Sequence, residues 1–297
     1  LNKQKKKKCN VAEDIGYSCN LNLKKVGEQI SFTQYQLKEL AKCENDPVYF
    51  ARTYMKIVNV DRGLIPFEMW DFQEGLIRTI HENRFTISKL SRQVGKTTTT
   101  VAYVLWCILF KENYSIAILA NKGSLAREIL GKLQYSYECL PKWLQQGVIV
   151  WNKGNIELEN KSSVNAYATS ASGVRGGSFN MIILDEFAFV HHNMAQEFFR
   201  STYPVISSGK STKVVIISTP NGLNLFYKMW VDAVEKRSLY IPYEISWDMV
   251  PGRDEQWKDD FIRNNGEESW RQEIECEFIG SSATLISGRK LREMVFF

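Results

Sequence analysis

The stretch Leu90-Ser-Arg-Gln-Val-Gly-Lys-Thr-Thr98 decides how the rest of the chain is read. It ends as a phosphate-binding loop ends, in Gly-Lys-Thr. It begins with Leu90 where the GxxxxGK[ST] pattern has a glycine, and it carries Arg92 inside. The Gly-Lys-Thr triplet alone is weak evidence, but its surroundings strengthen it. Phe85–Leu90 reads as a strand and Lys96–Phe110 as a helix. A strand entering a helix through such a loop aims backbone N–H groups and the positive helix end at one spot, which suits phosphate. In that reading Ser91, Arg92, Gln93, Val94, Gly95, Lys96, Thr97 and Thr98 surround the nucleotide's phosphates. Lys96 reaches the β- and γ-phosphates and Thr97 offers its hydroxyl to Mg²⁺. The alternative is an ordinary strand–helix turn that Gly95 keeps tight.

Working outward, the apolar strand Met181–Leu184 ends in Asp185-Glu186. Asp185 at the strand's end is placed to hold Mg²⁺, directly or through water, and Glu186 to act as general base or positioner for an attacking water. A helix-capping acidic pair is the alternative. Together with the loop upstream, the pair points to ATP hydrolysis, and Glu186 argues against mere nucleotide-dependent scaffolding. A third strand ends in Ile217-Ser-Thr-Pro-Asn-Gly222. Ligands of parallel α/β sheets sit at the carboxyl ends of strands, so Ser218 and Thr219 are placed to sense the γ-phosphate and relay its loss. Turn chemistry before Pro220 explains them equally well.

Two arginines lie near this machinery. Arg92, inside the loop, is a fixed charge able to meet the γ-phosphate within its own chain. Arg175, in Gly173-Val-Arg-Gly-Gly177, is glycine-flanked and suits a charge that reaches phosphate on a neighbouring subunit. A surface-loop residue is its alternative. Upstream, Trp70-Asp-Phe-Gln73 offers aromatic rings for stacking on adenine and, in Gln73, an amide with both donor and acceptor. A helix packing face is the competing reading. His191 and His192 resemble a metal pair, but spacing suggests no third ligand, and a plain loop is the simpler account.

The rest of the chain fits one α/β layout. Helices are expected from Ser31, over Pro47–Tyr54 and from near Pro66. Strands Ser115–Ala120, Met181–Leu184, Val214–Ser218 and Tyr240–Trp247 alternate with helices Ser124–Leu140, Met194–Tyr203 and Leu223–Glu235. Ile156–Glu159 and Val164–Ala168 form a β-pair. The alternation implies a mostly parallel sheet flanked by helices. After Asp248, Glu255–Asn264 and Glu267–Phe278 read as two helices split by Gly266. The expected division is a flexible arm over 1–30, a core over 31–238, a small helical lid over 239–282 and a linker over 283–297. The 297 residues allow one large domain or a core with a small second one. An apolar share of 44% against 24% charged is globular composition, and no apolar run reaches a bilayer's span. The opening LNKQKKKKCN is followed by no apolar segment, so a signal peptide is not expected. The run Lys5–Lys8 reads as a solvated tail, with a nucleic-acid contact as its alternative. The six scattered cysteines have no CxxC spacing and read as reduced thiols of an intracellular protein. A net charge of +5 permits a polyanionic partner without requiring one.

With these residues in place, the chain resembles the ATPase portion of the large terminase subunit of tailed bacteriophages, of the T4 type. The resemblance is carried by DPVYFARTY (46–54), DFQ (71–73), LSRQVGKTT, LANKGS (119–124), WNKGNIEL (151–158), GVRGGSFNMIILDE (173–186), PVISSG (204–209), STPNGLNLFY (218–227) and ATLISG (283–288). In that family SRQxGKT stands in for GxxxxGKT. The resemblance implies a P-loop NTPase of the ASCE type, with Walker A and Walker B motifs, using ATP and Mg²⁺. Phe72 and Gln73 would belong to an adenine-recognising motif, and Lys96 and Thr97 would bind phosphate and Mg²⁺. Asp185 would hold Mg²⁺ and Glu186 would be the catalytic carboxylate. Ser218 and Thr219 would form the coupling motif, although Ser replaces a threonine and Pro220 follows. Arg92 would match a finger acting in cis and Arg175 one acting in trans.

The resemblance also implies partners. These are double-stranded DNA, held by its phosphate backbone because a packaging motor must not read sequence, the portal protein of the procapsid and the small terminase subunit. The assembled form would be a homo-oligomeric ring, and the isolated chain a monomer. The expected setting is the cytoplasm of an infected bacterium, at the portal during packaging, outside the mature virion and with no membrane. The family's nuclease domain would begin where this chain stops, so no nuclease activity is expected. A helicase-like translocase would need a second RecA-like domain for which the chain has no room. An assembly module that binds ATP without turning it over is the rival from another class.

Overall fold

The computed structural model describes residues 16–169, 177–208 and 210–279. Helix α1 (Gln34–Asn45) starts at a capping box in which Thr33 and Gln36 satisfy each other's backbone N–H. Asp46 caps α2 (Pro47–Tyr54), with Pro47 in the first turn, where its missing N–H costs nothing. Strands β1 (Lys56–Asn59) and β2 (Gly63–Pro66) form a hairpin that the sequence reading missed. The helix expected from near Pro66 begins later, as α3 (Asp71–Glu82).

The main body follows as β3 (Phe85–Leu90), α4 (Lys96–Phe110), β4 (Ser115–Ala120), α5 (Gly123–Glu138), β5 (Val148–Trp151), β6 (Asn155–Leu158), β7 (Ser163–Ala168), β8 (Met181–Asp185), α6 (His192–Ser208), β9 (Lys213–Ser218), α7 (Leu225–Val234), β10 (Ile241–Ile245) and α8 (Glu255–Asn265). One eight-stranded sheet has the order β10-β3-β9-β8-β4-β7-β6-β5. The strands from β10 to β7 pair in parallel, while β6 and β5 add antiparallel at one edge. The expected mostly parallel sheet flanked by helices is therefore present, with β5 unforeseen.

Alternation along the central strands divides the interior in two. Ile116, Ile118, Met181, Ile183, Val215 and Ile217 face the layer of α2 to α5. Ala117, Leu119, Ile182, Leu184, Val214 and Ile216 face the layer that includes Ala195 and Phe198 of α6 and Phe226 and Trp230 of α7. Helix α4 is buried from Thr99 to Leu109, which explains why it is apolar all round rather than along one stripe.

Four expectations are corrected. The core does not end at residue 238, because β10 is an edge strand of the main sheet, paired with β3 from Ile241↔Thr86 to Ile245↔Leu90. The second lid helix, expected over Glu267–Phe278, is shorter. Gly266 ends α8 at φ +84°, one helical turn follows, and Trp270–Ile274 winds as a π-helical turn. The described part of the arm expected over 1–30 is tied to the body between Tyr17 and Gly27. Leu23 is 1% exposed, Val148 N donates to Lys24 O at 3.0 Å, and Gln145 bonds both Asn22 O and Lys24 N. Cys19 is disulfide-bonded, so the reading of six reduced cysteines fails there, while Cys43, Cys107, Cys139 and Cys276 are free thiols. The lysine run and the linker expected over 283–297 lie outside the described residues. Among the described residues no helix is long and apolar enough to cross a membrane.

A docked segment makes a measurable difference. Leu23→Ala should lower the stability to urea by about 2–5 kcal/mol, the usual cost of emptying a buried leucine site. An unchanged urea midpoint would show that the segment is a loose arm after all.

Candidate functional site

The parallel pairing decides which residues meet. Strand β9 lies between β3 and β8, so the carboxyl ends of all three strands open at one edge. That edge carries the loop Ser91–Gly95 after β3, the Asp185-Glu186 pair after β8, and Ser218-Thr219 after β9. Lys96 Nζ lies 2.6 Å from Glu186 Oε1, so the loop's lysine and the second carboxylate form a direct ion pair across the intervening strand. The other oxygen, Glu186 Oε2, is buried without a hydrogen-bond partner. Glu186 also sits at φ +51°, a left-handed conformation uncommon for a residue with a side chain. A strained, half-satisfied carboxylate is a group placed for something that is not protein.

Asp185 is 6% exposed. Burial, then the charge of Glu186 beside it, pushes its carboxyl up from 3.8 to about 6, with Lys96 acting against the rise. Thr97 and Asp185 line the same small cavity beneath the loop. A hydroxyl and a carboxylate are the hard oxygen donors Mg²⁺ takes, so the residues present fit that ion.

The loop turns through two left-handed residues, Gln93 at φ +60° and Gly95 at φ +76°. Leu90 is buried and is the last residue of β3, in register with Ile245 of β10. The position that usually carries glycine therefore belongs to the strand. Ser91 N donates to Ile245 O at 2.9 Å and Arg92 N to Glu273 O at 3.0 Å. The N–H groups of Gln93, Val94 and Gly95 have no acceptor among the described residues. The part of the loop free to grip an anion thus starts at Gln93, well after Leu90. Ser91 is fully buried and its hydroxyl has no partner.

Gln73 is buried and committed on both ends of its amide. Its Nε2 donates to Val94 O at 3.1 Å, and its Oε1 accepts from Trp70 N at 3.1 Å. It clamps the start of α3 to the loop. A Cβ on Gly95 would stand 2.4 Å from that Nε2, so glycine is needed there for space as well as for φ. A cleft of about 630 Å³ opens beside this clamp, lined by Trp70, Gln73, Gln93, Gly95, Thr98 and the β1–β2 hairpin. Phe72 does not line it. That ring lies beside Trp70, 5.3 Å between centroids, and lines a separate hollow with Tyr243 and Met249.

Arg92 is 58% exposed on its side chain, and its guanidinium is ion-paired with Glu273. It points to the C-terminal helical segment. Arg175 lies outside the described residues. Ser218 Oγ accepts from Ala188 N at 3.1 Å and donates to Thr219 O at 2.7 Å. It ties the end of β9 to the turn that follows Glu186. His192 opens α6 and bonds Gln196. No group of three His, Cys, Asp or Glu placed to hold a metal ion occurs among the described residues.

Sequence reasoning missed Arg253 and Glu273, which reach the loop from far along the chain, because no spacing rule connects them to it. The hairpin had a signal, the Asp61-Arg62-Gly63 turn between two short apolar runs.

Comparison with known proteins agrees with this layout. The family model for the terminase large subunit, T4-like-virus type, N-terminal, matches residues 87–293. The fold is similar to a mutant of the ATPase domain of the large terminase of Thermus phage P74-26, with a TM-score of 0.59, 20% identity, and 71% of this chain and 95% of that one covered. It is also similar to the large terminase of bacteriophage HK97, with a TM-score of 0.60, 17% identity, and 84% of this chain covering 50% of that one. The large terminase of a thermophilic bacteriophage solved in complex with ADP gives a TM-score of 0.57, 14% identity, and coverages of 71% and 54%.

The buried carboxylate has a pH signature. The unfolded chain releases the Asp185 proton near 3.8 and the folded chain near 6, so the folded chain holds more protons between those values. The stability of the nucleotide-free protein should therefore fall as pH rises through that window. Asp185→Asn removes the titration and should be more stable than wild type by roughly 1–3 kcal/mol at neutral pH, with the gap closing toward about pH 4. Urea denaturation without nucleotide or divalent cation measures it. A variant no more stable than wild type at neutral pH contradicts the burial argument.

Proposed function

The chain belongs to the family of T4-type terminase large subunits, and we propose that it is the ATP-hydrolysing motor part of a viral DNA-packaging machine. The observation that carries the reading is the Lys96–Glu186 contact at 2.6 Å. It joins the phosphate-loop lysine to a carboxylate at the end of β8, across the intervening β9, in a site rimmed by backbone N–H groups that have no acceptor among the described residues.

In this reading Lys96 leaves Glu186 for the phosphate oxygens when ATP enters, because a polyanion offers it more negative charge than one carboxylate. Glu186 is then free to hold a water for in-line attack on the γ-phosphate. The N–H groups of Gln93, Val94 and Gly95 and the start of α4 hold the phosphate oxygens. Mg²⁺, when bound by Asp185 and Thr97, would neutralise charge growing on those oxygens. The cleft beside Gln73 and Trp70 is the place for the nucleoside. Gln73 has one amide proton and one acceptor lone pair left over from the clamp, so its contact with adenine would be added to its hold on the loop.

Arg92 must leave Glu273 to serve as a finger in cis, and Arg175 would serve in trans from a neighbour. Ser218 and Thr219 would pass the loss of γ-phosphate from the Glu186 turn to β9. The work would be translocation of double-stranded DNA into a procapsid. The partners would be the portal protein, the small terminase subunit and further copies of the chain in a ring, in the cytoplasm of the infected host.

Phosphate release with ATP and Mg²⁺ under oligomer-promoting conditions tests this. Glu186→Gln should lose roughly a hundred- to ten-thousandfold in turnover while keeping ATP affinity within a few-fold. Wild type that binds ATP but shows no Glu186-dependent turnover would leave an assembly module rather than a motor. Mixing Arg175→Ala with Glu186→Ala subunits should restore part of the activity if Arg175 acts across subunits, and no rescue counts against the trans role.

A further inference from the structure

The phosphate loop is held from behind by a side chain that the nucleotide reading does not use. Arg253 follows Pro251-Gly252 in the turn ahead of α8. Its Nη1 and Nη2 both donate to Arg92 O at 3.2 Å, and Nη2 also donates to Gln93 O at 3.3 Å. The guanidinium lies over the Trp257 ring, 4.6 Å from its centroid. Trp257 packs against Trp247 at 6.0 Å and the fully buried Trp270 at 5.8 Å, so Arg253 rests on a small aromatic core. Arg92 N and the Arg92 guanidinium are meanwhile bound by Glu273, a few residues beyond that core.

The geometry has a chemical consequence. In a trans peptide the carbonyl and the following N–H point in opposite directions. Holding the carbonyls of Arg92 and Gln93 against a cation on one side turns the N–H groups of Gln93 and Val94 to the other. Those N–H groups have no protein acceptor among the described residues. A cation on the carbonyl side also polarises the two peptides, which strengthens their N–H groups as donors to an anion. Gln93 pays for its left-handed φ of +60° with backbone strain, and Arg253 grips the carbonyl of that same residue.

We propose that Arg253 is a positioning residue for phosphate: it fixes the Arg92 and Gln93 peptides so that the loop presents its N–H groups to the β- and γ-phosphates of a nucleoside triphosphate. It touches the loop's backbone and acts on the ligand through it. The proposal rests on the reading of the loop as a nucleotide site.

The test compares wild type, Arg253→Ala, Arg253→Lys and Lys96→Ala for ATP and ADP affinity by calorimetry, and for steady-state phosphate release. Circular dichroism and the urea midpoint check that each variant folds. Arg253→Ala should weaken ATP and ADP binding and raise KM about tenfold or more, the scale of losing charged hydrogen bonds, with kcat changed less than about threefold. Arg253→Lys should recover only part of the affinity, because a point-like ammonium does not bridge two carbonyls as a planar guanidinium does. That variant carries the test if Arg253→Ala does not fold. Wild-type affinity in the folded Arg253 variants, alongside lost binding in Lys96→Ala, would overturn the proposal and leave the nucleotide site standing. A fall in kcat with unchanged KM would overturn it as well, since that marks direct action in the transition state. No ATP binding by wild type would remove both the proposal and the reading beneath it.

Discussion

The site is organised around negative charge that the fold takes out of water. Strand β8 is buried along its whole length and delivers Asp185 and Glu186 to the edge of the sheet. Two adjacent carboxylates there repel one another and lose hydration. The protein answers with Lys96, the single cation at the edge that touches either carboxylate among the described residues. That ion pair needs the first residue of α4 beside the turn after β8, although β9 separates the two strands. The loop after β3 must therefore lean across β9. Gln93 and Gly95 make that lean possible with two left-handed turns, and Gln73 fixes it by holding Val94 O.

How much of this was legible in the sequence follows from how local each signal is. Met181-Ile-Ile-Leu-Asp-Glu186 and Leu90–Thr98 announce themselves because strand burial, turn chemistry and helix start act over a few residues. The alternation of buried strands with helices gave the parallel sheet for the same reason. The strand order did not follow, and nothing in residues 213–218 says that they insert between β3 and β8. Tyr240–Trp247 read as a last strand, but its place beside β3 is decided by Ile245 pairing with Leu90, a contact between residues far apart in the chain. Arg253 and Glu273 were illegible, because their purpose exists only once the C-terminal turn has packed on the loop. Docking of residues 22–27 on β5 was equally hidden, since only Leu23 and Val26 interrupt a polar stretch.

Leu90 shows how a departure from a sequence pattern becomes ordinary in three dimensions. In the glycine-first version of the motif, the first position turns and lets the backbone approach phosphate. Here that position is still strand, buried and paired with β10. Ser91 N and Arg92 N are used by Ile245 O and Glu273 O, so neither has an N–H to offer an anion. The backbone N–H groups left free among the described residues are compressed into the stretch from Gln93 onward. Compression moves the need for left-handed backbone to Gln93 and Gly95, and only one of these is a glycine. The loop consequently depends on outside support more than a glycine-rich loop would.

That support comes from two directions with different chemistry. From the α3 side, Gln73 binds Val94 O through a neutral amide in a buried setting. From the C-terminal side, Arg253 and Glu273 bind Arg92 and Gln93 through charged groups that are part-exposed. A neutral buried bond keeps its strength whatever anion arrives. A charged, part-exposed pair would respond to new charge: Glu273 would compete with a bound phosphate for the Arg92 guanidinium, and Arg253 would gain if phosphate drew on the peptides it backs. The same separation holds beyond the loop, where Ser218 joins the Glu186 turn to β9 by two short-range bonds, one to Ala188 N and one to Thr219 O. The rigid contacts therefore lie along the sheet and α3, and the contacts that a polyanion would rearrange lie between the loop and the C-terminal aromatic core. A change in bound phosphate would accordingly be felt first by the segment around Trp257 and Trp270, while the sheet stays as it is.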